Sequence, residues 1–213
     1  MGGAANFGIQ RLAGLSLVEL WRLFPIQLRP YDPVWPQWYA EQAGELGPLL
    51  GAGARVSHIG STAVPGLLAK PIVDILAEVA GDADPMGLVG YLEAHGWTLM
   101  RHTAGPQWRL DLNKGYTPRG FAERVFHLHV QPYARPPRDP DEICFRDWLR
   151  THPETCRQYA ALKQRLLEAY EHDRDAYTQA KTDFVRTVTA QAQGEQSPGD
   201  PDAKAGVGVG TLG

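Results

Sequence analysis

The stretch HIGSTAVPGLLAKPIVDILAEV, His58 to Val79, places Gly60-Ser61-Thr62 at a turn between two β-branched runs. Lys70 and Asp74 follow shortly after. A turn of small residues aims successive backbone N–H groups at one point, and its hydroxyls add donors, which is how an anion is cradled. Lys70 would supply a point charge to a phosphate. The plainer alternative is a strand-exit turn with a solvated lysine. Asp74 is more telling, because PIVDILAEV is apolar on both sides of it. An ionised carboxylate in a strand buried on both faces needs a cation or several donors. Side chains alternate along a strand, so Asp74 shares its face with Leu76 and Glu78. Two-metal phosphoryl chemistry wants paired carboxylates around ions about 4 Å apart. Here the i+2 position is Leu76, and Glu78 lies about 13 Å along the strand.

A second group is FHLHV, which sets His127 and His129 on one strand face. Two histidines spaced by two are a common metal-ligand pair, and imidazole suits zinc more than magnesium. The alternative is two polar residues hydrogen-bonded to neighbours. Asp111 in WRLDLN would complete a cluster if its strand lies beside theirs. The cofactor such a set would take is a divalent metal, Mg2+, Mn2+ or Zn2+, on Asp74, His127 and His129. NKGYTPRGFAER supplies Lys114, Tyr116, Arg119 and Arg124 around two glycines. A loop of that composition binds phosphate and stacks a base, or is a solvated hairpin connection. YEHDRDAYTQAK concentrates Arg174, Tyr177 and Lys181 beside a helix start that Asp175 caps.

These residues need elements to position them. FPIQLRPY reads as a strand ending at Asp32-Pro33. VWPQWYAEQAGELGPLLGA carries Trp35, Trp38, Leu46 and Leu49 at helical spacing and ends at Gly51 and Gly53. RVSHI and PIVDILAEV are strands. ADPMGLVGYLEAHG is a helix capped by Asp84, with Pro85 in its first turn and Gly96 at its end. WTLMRH, WRLDLN and RVFHLHVQPY are strands, the last two joined by a long glycine-containing connection. The remainder is helical. DEICFRDWLR leads to a helix opened by a capping box from Thr151 to Glu154, with a core stripe of Tyr159, Leu162, Leu166 and Tyr170. A last helix begins at Asp175. The fold class is α+β: a mixed sheet flanked by helices, with a C-terminal helical segment.

Composition narrows the function classes. The 213 residues and the 43% hydrophobic content suffice for one well-packed domain. The formal net charge of −3 offers no footprint for duplex nucleic acid or an anionic membrane. Cys144 and Cys156 form neither a CxxC pair nor a disulfide framework, which fits a reducing compartment. No apolar run approaches the roughly 20 residues of a membrane span, and residues 1–14 lack the pattern of a secretory signal. LSLVELWRLFPI reads as a short amphipathic helix. The expected organisation is a flexible start (1–14), one domain (15–193) and a disordered tail (194–213) rich in Gly, Pro and Asp. The expected location is cytoplasmic, and the oligomeric state is left open.

In combination, HIGSTAVPGLLAKPIVDILAEV, GYTPRGFAERVFHLHV, FRDWLRTHPE and YEHDRDAYTQAKTDFV resemble the GrpB family, from about Leu15 to Val188. The resemblance implies the nucleotidyltransferase superfamily fold, in which a Gly-Ser turn after one strand faces a carboxylate on the next. Gly60 and Ser61 match that turn, and Asp74 matches the first metal carboxylate. Leu76 departs from the second, and His127 and His129 occupy the strand of a third. A similar domain also occurs fused to dephospho-CoA kinase, with a suggested folding-accessory role. The expected function is therefore to bind a nucleotide or other phosphorylated small molecule. Gly60, Ser61, Thr62, Lys70, Lys114, Tyr116, Arg174 and Lys181 would hold the phosphate or nucleotide, and Asp74, His127 and His129 would carry metal-dependent nucleotidyl transfer. The alternative is a non-catalytic interaction or folding-accessory domain that has lost the metal site.

Overall fold

The computed structural model describes residue 14, residues 16–134 and residues 137–196. The segments expected to be a flexible start and a disordered tail lie outside the described residues, apart from Gly14 and the helical residues 194–196. The chain opens with α1 (Leu17–Leu23), where Ser16 and Glu19 form a reciprocal capping box. The run FPIQLRPY does not become a strand. Only Arg29 bridges to Ala69, because Pro25 and Pro30 cannot donate to a ladder.

Next come α2 (Trp35–Leu50), β1 (Arg55–Ile59), a single 3-10 turn (Ser61–Ala63) and β2 (Val73–Val79). After them lie α3 (Pro85–Ala94), β3 (Thr98–Thr103), β4 (Arg109–Thr117) and β5 (Gly120–Pro132). Asp84 caps α3 by accepting from the N–H groups of Met86 and Gly87, as its position predicts. The helical end comprises α4 (Asp141–Thr151), α5 (Pro153–Ala169), α6 (Arg174–Gln179) and α7 (Thr182–Gln196).

Three expectations need correction. Thr151 closes α4, its hydroxyl donating to the carbonyls of Asp147 and Trp148, so it does not cap α5. The last helix breaks at Ala180-Lys181, and Asp173, rather than Asp175, caps its first half. The long connection after WRLDLN is mostly strand, since β4 and β5 continue to a turn at Pro118-Arg119.

The sheet order is β1-β2-β5-β4-β3, antiparallel except for the parallel β2–β5 pair. Alternation divides its two faces. Val73, Ile75, Ala77 and Val79 of β2 point to the same side as Leu128 and Val130 of β5 and Leu110 and Leu112 of β4. All pack under Trp35, Leu46, Val89 and Leu92 of α2 and α3. The intervening residues Asp74, Leu76, His127, His129 and Asp111 therefore belong to the opposite face. There Leu76 packs with Ile59 and Ile143 of α4. A second apolar cluster joins Val64 and Leu67 to Phe145, Leu149, Tyr159 and Val188, which fastens α4, α5 and α7 beside the Ser61 turn. Among the described residues, no helix is long and apolar enough to cross a membrane.

Candidate functional site: a lysine-lined pocket over Asp74 and His127

The turn after β1 is built around Gly60, whose φ of 71° and ψ of −171° belong to glycine. A Cβ there would lie 2.3 Å from Oδ2 of Asp74, so the turn rests directly on the carboxylate. Side chains from α4 hold the turn in place. Arg146 donates to the carbonyl of His58, and Arg150 donates twice to the carbonyl of Ala63. Thr62 is buried and reaches the carbonyl of Ile72 and Nε2 of His58. Burial pushes the His58 pKa down to about 4, which leaves that ring neutral.

Asp74 and His127 are register partners across β2 and β5. Nδ1 of His127 lies 3.0 Å from Oδ1 of Asp74, and the Tyr116 hydroxyl lies 2.9 Å from Nε2. Arg174 donates to the Tyr116 oxygen at 3.2 Å. Because an ionised Asp74 can only accept, Nδ1 of a neutral His127 donates to it and Nε2 accepts from Tyr116, so the chain runs from Arg174 to Tyr116 to His127 to Asp74. Burial raises the Asp74 pKa, but the His127 hydrogen bond and nearby positive charge outweigh it and hold the carboxyl below its ordinary value. Burial also lowers the His127 pKa against the opposing pull of Asp74. The pair is a carboxylate accepting from a neutral imidazole.

Tyr116 reaches this face through a bulge. Asn113 pairs with His127 and Lys114 with Phe126, after which the β4–β5 register shifts between Lys114 and Tyr116. Gly115 sits at the shift with a φ of 92°, and a Cβ there would meet the carbonyl oxygen of Arg124 at 2.3 Å. The bulge turns Tyr116 toward His127 and leaves Lys114 on the other face. Lys114 donates there to Gln42 and Glu45 of α2, over the Trp97 ring. It is not part of the pocket. His129 is also drawn away: its Nδ1 lies 2.7 Å from Asp111, which Arg101 and Arg109 also hold.

The pocket above Asp74 has a volume of about 270 Å³, and Gly60, Ser61, Thr62, Lys70, His127 and Lys181 line it. Tyr177 of α6, from the segment YEHDRDAYTQAK, adds to the wall, and so do two residues of α5 that were not foreseen there, Tyr159 and Lys163. Lys163 is 2% exposed and donates to Ser61 Oγ at 3.0 Å and to the Leu68 carbonyl. Its one sequence signal is that it follows Tyr159 by four residues, on the buried side of a helix. The ammonium of Lys163 sits over the Tyr159 ring, and those of Lys181 and Lys70 over Tyr177. Burial, reinforced by mutual repulsion, lowers the pKa of Lys163 and Lys181 to about 7. Burial and Arg174 lower that of Lys70 to about 8. The Tyr177 hydroxyl is buried without a hydrogen-bond partner.

A protein-held divalent metal does not fit this donor set. Asp74 and His127 bind each other, His129 binds Asp111, and Leu76 is fully buried where a second carboxylate would stand. Among the described residues, no three His, Cys, Asp or Glu side chains are grouped to ligate one ion.

The geometry can be set beside known proteins. Residues 25–191 match the family described as GrpB protein. UPF0157 protein PA4798 of Pseudomonas aeruginosa is 42% identical over 168 residues, covering 78% of this chain and 67% of that protein. A dephospho-CoA kinase of Mycolicibacterium paratuberculosis is 29% identical over 79% of this chain, which corresponds to only 46% of the kinase. The crystal structure of conserved protein GrpB from Enterococcus faecalis superposes with a TM-score of 0.68 at 28% identity, over 80% of this chain and 99% of that one. The family match spans the whole sheet, the Gly60 turn, the helix that carries Lys163 and the break that holds Lys181, and on this ground the chain belongs to the GrpB family.

Proposed function

We propose that the pocket over Asp74 binds the phosphate of a nucleotide or other phosphorylated small molecule through lysines rather than through a protein-held metal. One observation carries this reading: Lys70, Lys163 and Lys181 line one pocket with Ser61 and Asp74, and no carboxylate lies within 4.0 Å of any of the three among the described residues. Grouping three buried cations around the single carboxylate of Asp74, with no direct ion pair to it, is costly. A phosphate offers three acceptor oxygens and the missing charge, and it restores the lysines to their protonated form. The unpartnered Tyr177 hydroxyl adds a donor to the same wall. In this reading Asp74, held ionised by His127, faces the bound group as an acceptor for a ligand hydroxyl.

A binding-only role is the second reading. It is favoured by Leu76, because the apolar side chain packed with Ile143 removes the second carboxylate of a two-ion centre. Calorimetric titration of inorganic phosphate and ATP, with and without EDTA, tests the proposal. Wild type is expected to bind both in EDTA, and Lys181→Met to weaken both at least tenfold. Absence of binding to wild type, or Lys181→Met binding as wild type does, would overturn it.

A further inference from the structure

The lysine pocket is not the only place where positive charge goes unanswered. A second cleft, of about 590 Å³, opens beside it between α1, the start of α2 and the β4–β5 turn. Arg22, Arg29, Arg119 and Arg174 line it, and Lys70 and Ile72 line both cavities. Elsewhere, among the described residues, cations other than Arg165 are paired: Arg55 with Glu78, Arg109 with Glu142, Arg124 with Glu41, and so on. Among the described residues, every lysine or arginine without a carboxylate within 4.0 Å lines one of these two cavities, with Arg165 the sole exception.

The carboxylates present in the arginine cleft do not change this. Asp32 is turned to its own backbone, accepting from the N–H of Val34, and Glu123 is exposed on the rim. Arg174 is fixed by the Phe24 carbonyl and Tyr116, over the Tyr116 and Phe121 rings. One guanidinium is thus ordered in advance, while Arg29 and Arg119 remain exposed for a ligand.

We infer that the arginine cleft is a second anion-binding subsite, joined to the lysine pocket at Lys70, and that the ligand is a small molecule with anionic groups at two separated positions, such as a bisphosphate. Arginine suits the outer group, because its fork meets phosphate or carboxylate oxygens in pairs while remaining partly solvated. Binding one end raises the effective concentration of the other, so a linked pair of anions exceeds either alone without new contacts. This inference rests on the lysine-pocket reading for the inner group.

The test titrates the full chain with inorganic phosphate and with α,ω-alkanediol bisphosphates of increasing spacer length. In wild type the best-spaced bisphosphate is expected to bind at least tenfold tighter than phosphate. The double variant Arg29→Ala/Arg119→Ala should lose that advantage while leaving phosphate affinity within twofold of wild type. Arg29 tolerates this change because its contact with Ala69 is through the backbone. Bisphosphates no tighter than phosphate, or an advantage that survives the double variant, would overturn the second subsite while leaving the lysine pocket standing. If phosphate fails to bind but a bisphosphate binds and is lost in the double variant, the lysine-pocket reading fails and the arginine site stands. If neither probe binds, both fail.

Discussion

Gly60→Ala probes the joint between the turn and the carboxylate. At φ 71° and ψ −171°, a residue with a side chain costs about 1–3 kcal/mol in backbone strain. Its Cβ also falls 2.3 Å from Asp74 Oδ2, so the carboxylate must move away from His127 and weaken a hydrogen bond 3.0 Å long. A bond to a charged group contributes about 1.5–3 kcal/mol. The sum is about 2.5–6 kcal/mol, or a fall in melting temperature on the order of 10 °C for a domain of this size. The two parts separate in a urea-denaturation cycle with Asp74→Ala, where the clash with the carboxylate is gone and Gly60→Ala should cost mainly the backbone share. A coupling of about 1.5–3 kcal/mol between the two sites is expected. Additivity within about 0.5 kcal/mol would show that Gly60 and Asp74 do not touch, and the site geometry would be wrong.

Asp74→Asn should keep or strengthen phosphate binding by calorimetry, since it removes a negative charge beside the lysines; loss of phosphate binding in EDTA would contradict a lysine cradle. Lowered lysine pKa values set a pH dependence: between about pH 7 and the unfolded value of 10.5, the unfolded chain holds more protons, so stability rises with pH. Thermal melts from pH 7 to 8.5 should therefore climb without phosphate and flatten with it, and a fall across that window would refute the buried-lysine assignment. Tyr116→Phe leaves Nε2 of His127 without its donor and should cost about 1–3 kcal/mol in urea denaturation, a loss absent if the bulge at Gly115 does not bring the two together.

Much of the scaffold was legible in local sequence. β-branched runs specified β1 and β2, Asp84 and Pro85 specified the start of α3, and Asp74 within an apolar run marked a carboxylate that must find a partner. Alternation also placed His127 on the face of Asp74 once the two strands were neighbours. These features depend on periods of two and 3.6 residues and on caps, which neighbouring residues determine.

Other features depended on what was brought from a distance. The partner of Asp74 was settled by β2–β5 pairing across 53 residues, and the diversion of His129 by Asp111 on β4. One inserted glycine separated Lys114 from Tyr116, which a strict alternation would have kept on one face. Lys163 read as part of an amphipathic helix, yet it donates to Ser61 from 102 residues away. Sequence alone determined which groups needed partners, because desolvation acts on each side chain wherever it is buried. Only the tertiary structure decided which partners they received and which cations received none, because hydrogen bonds and ion pairs act over a few ångströms that chain separation does not predict.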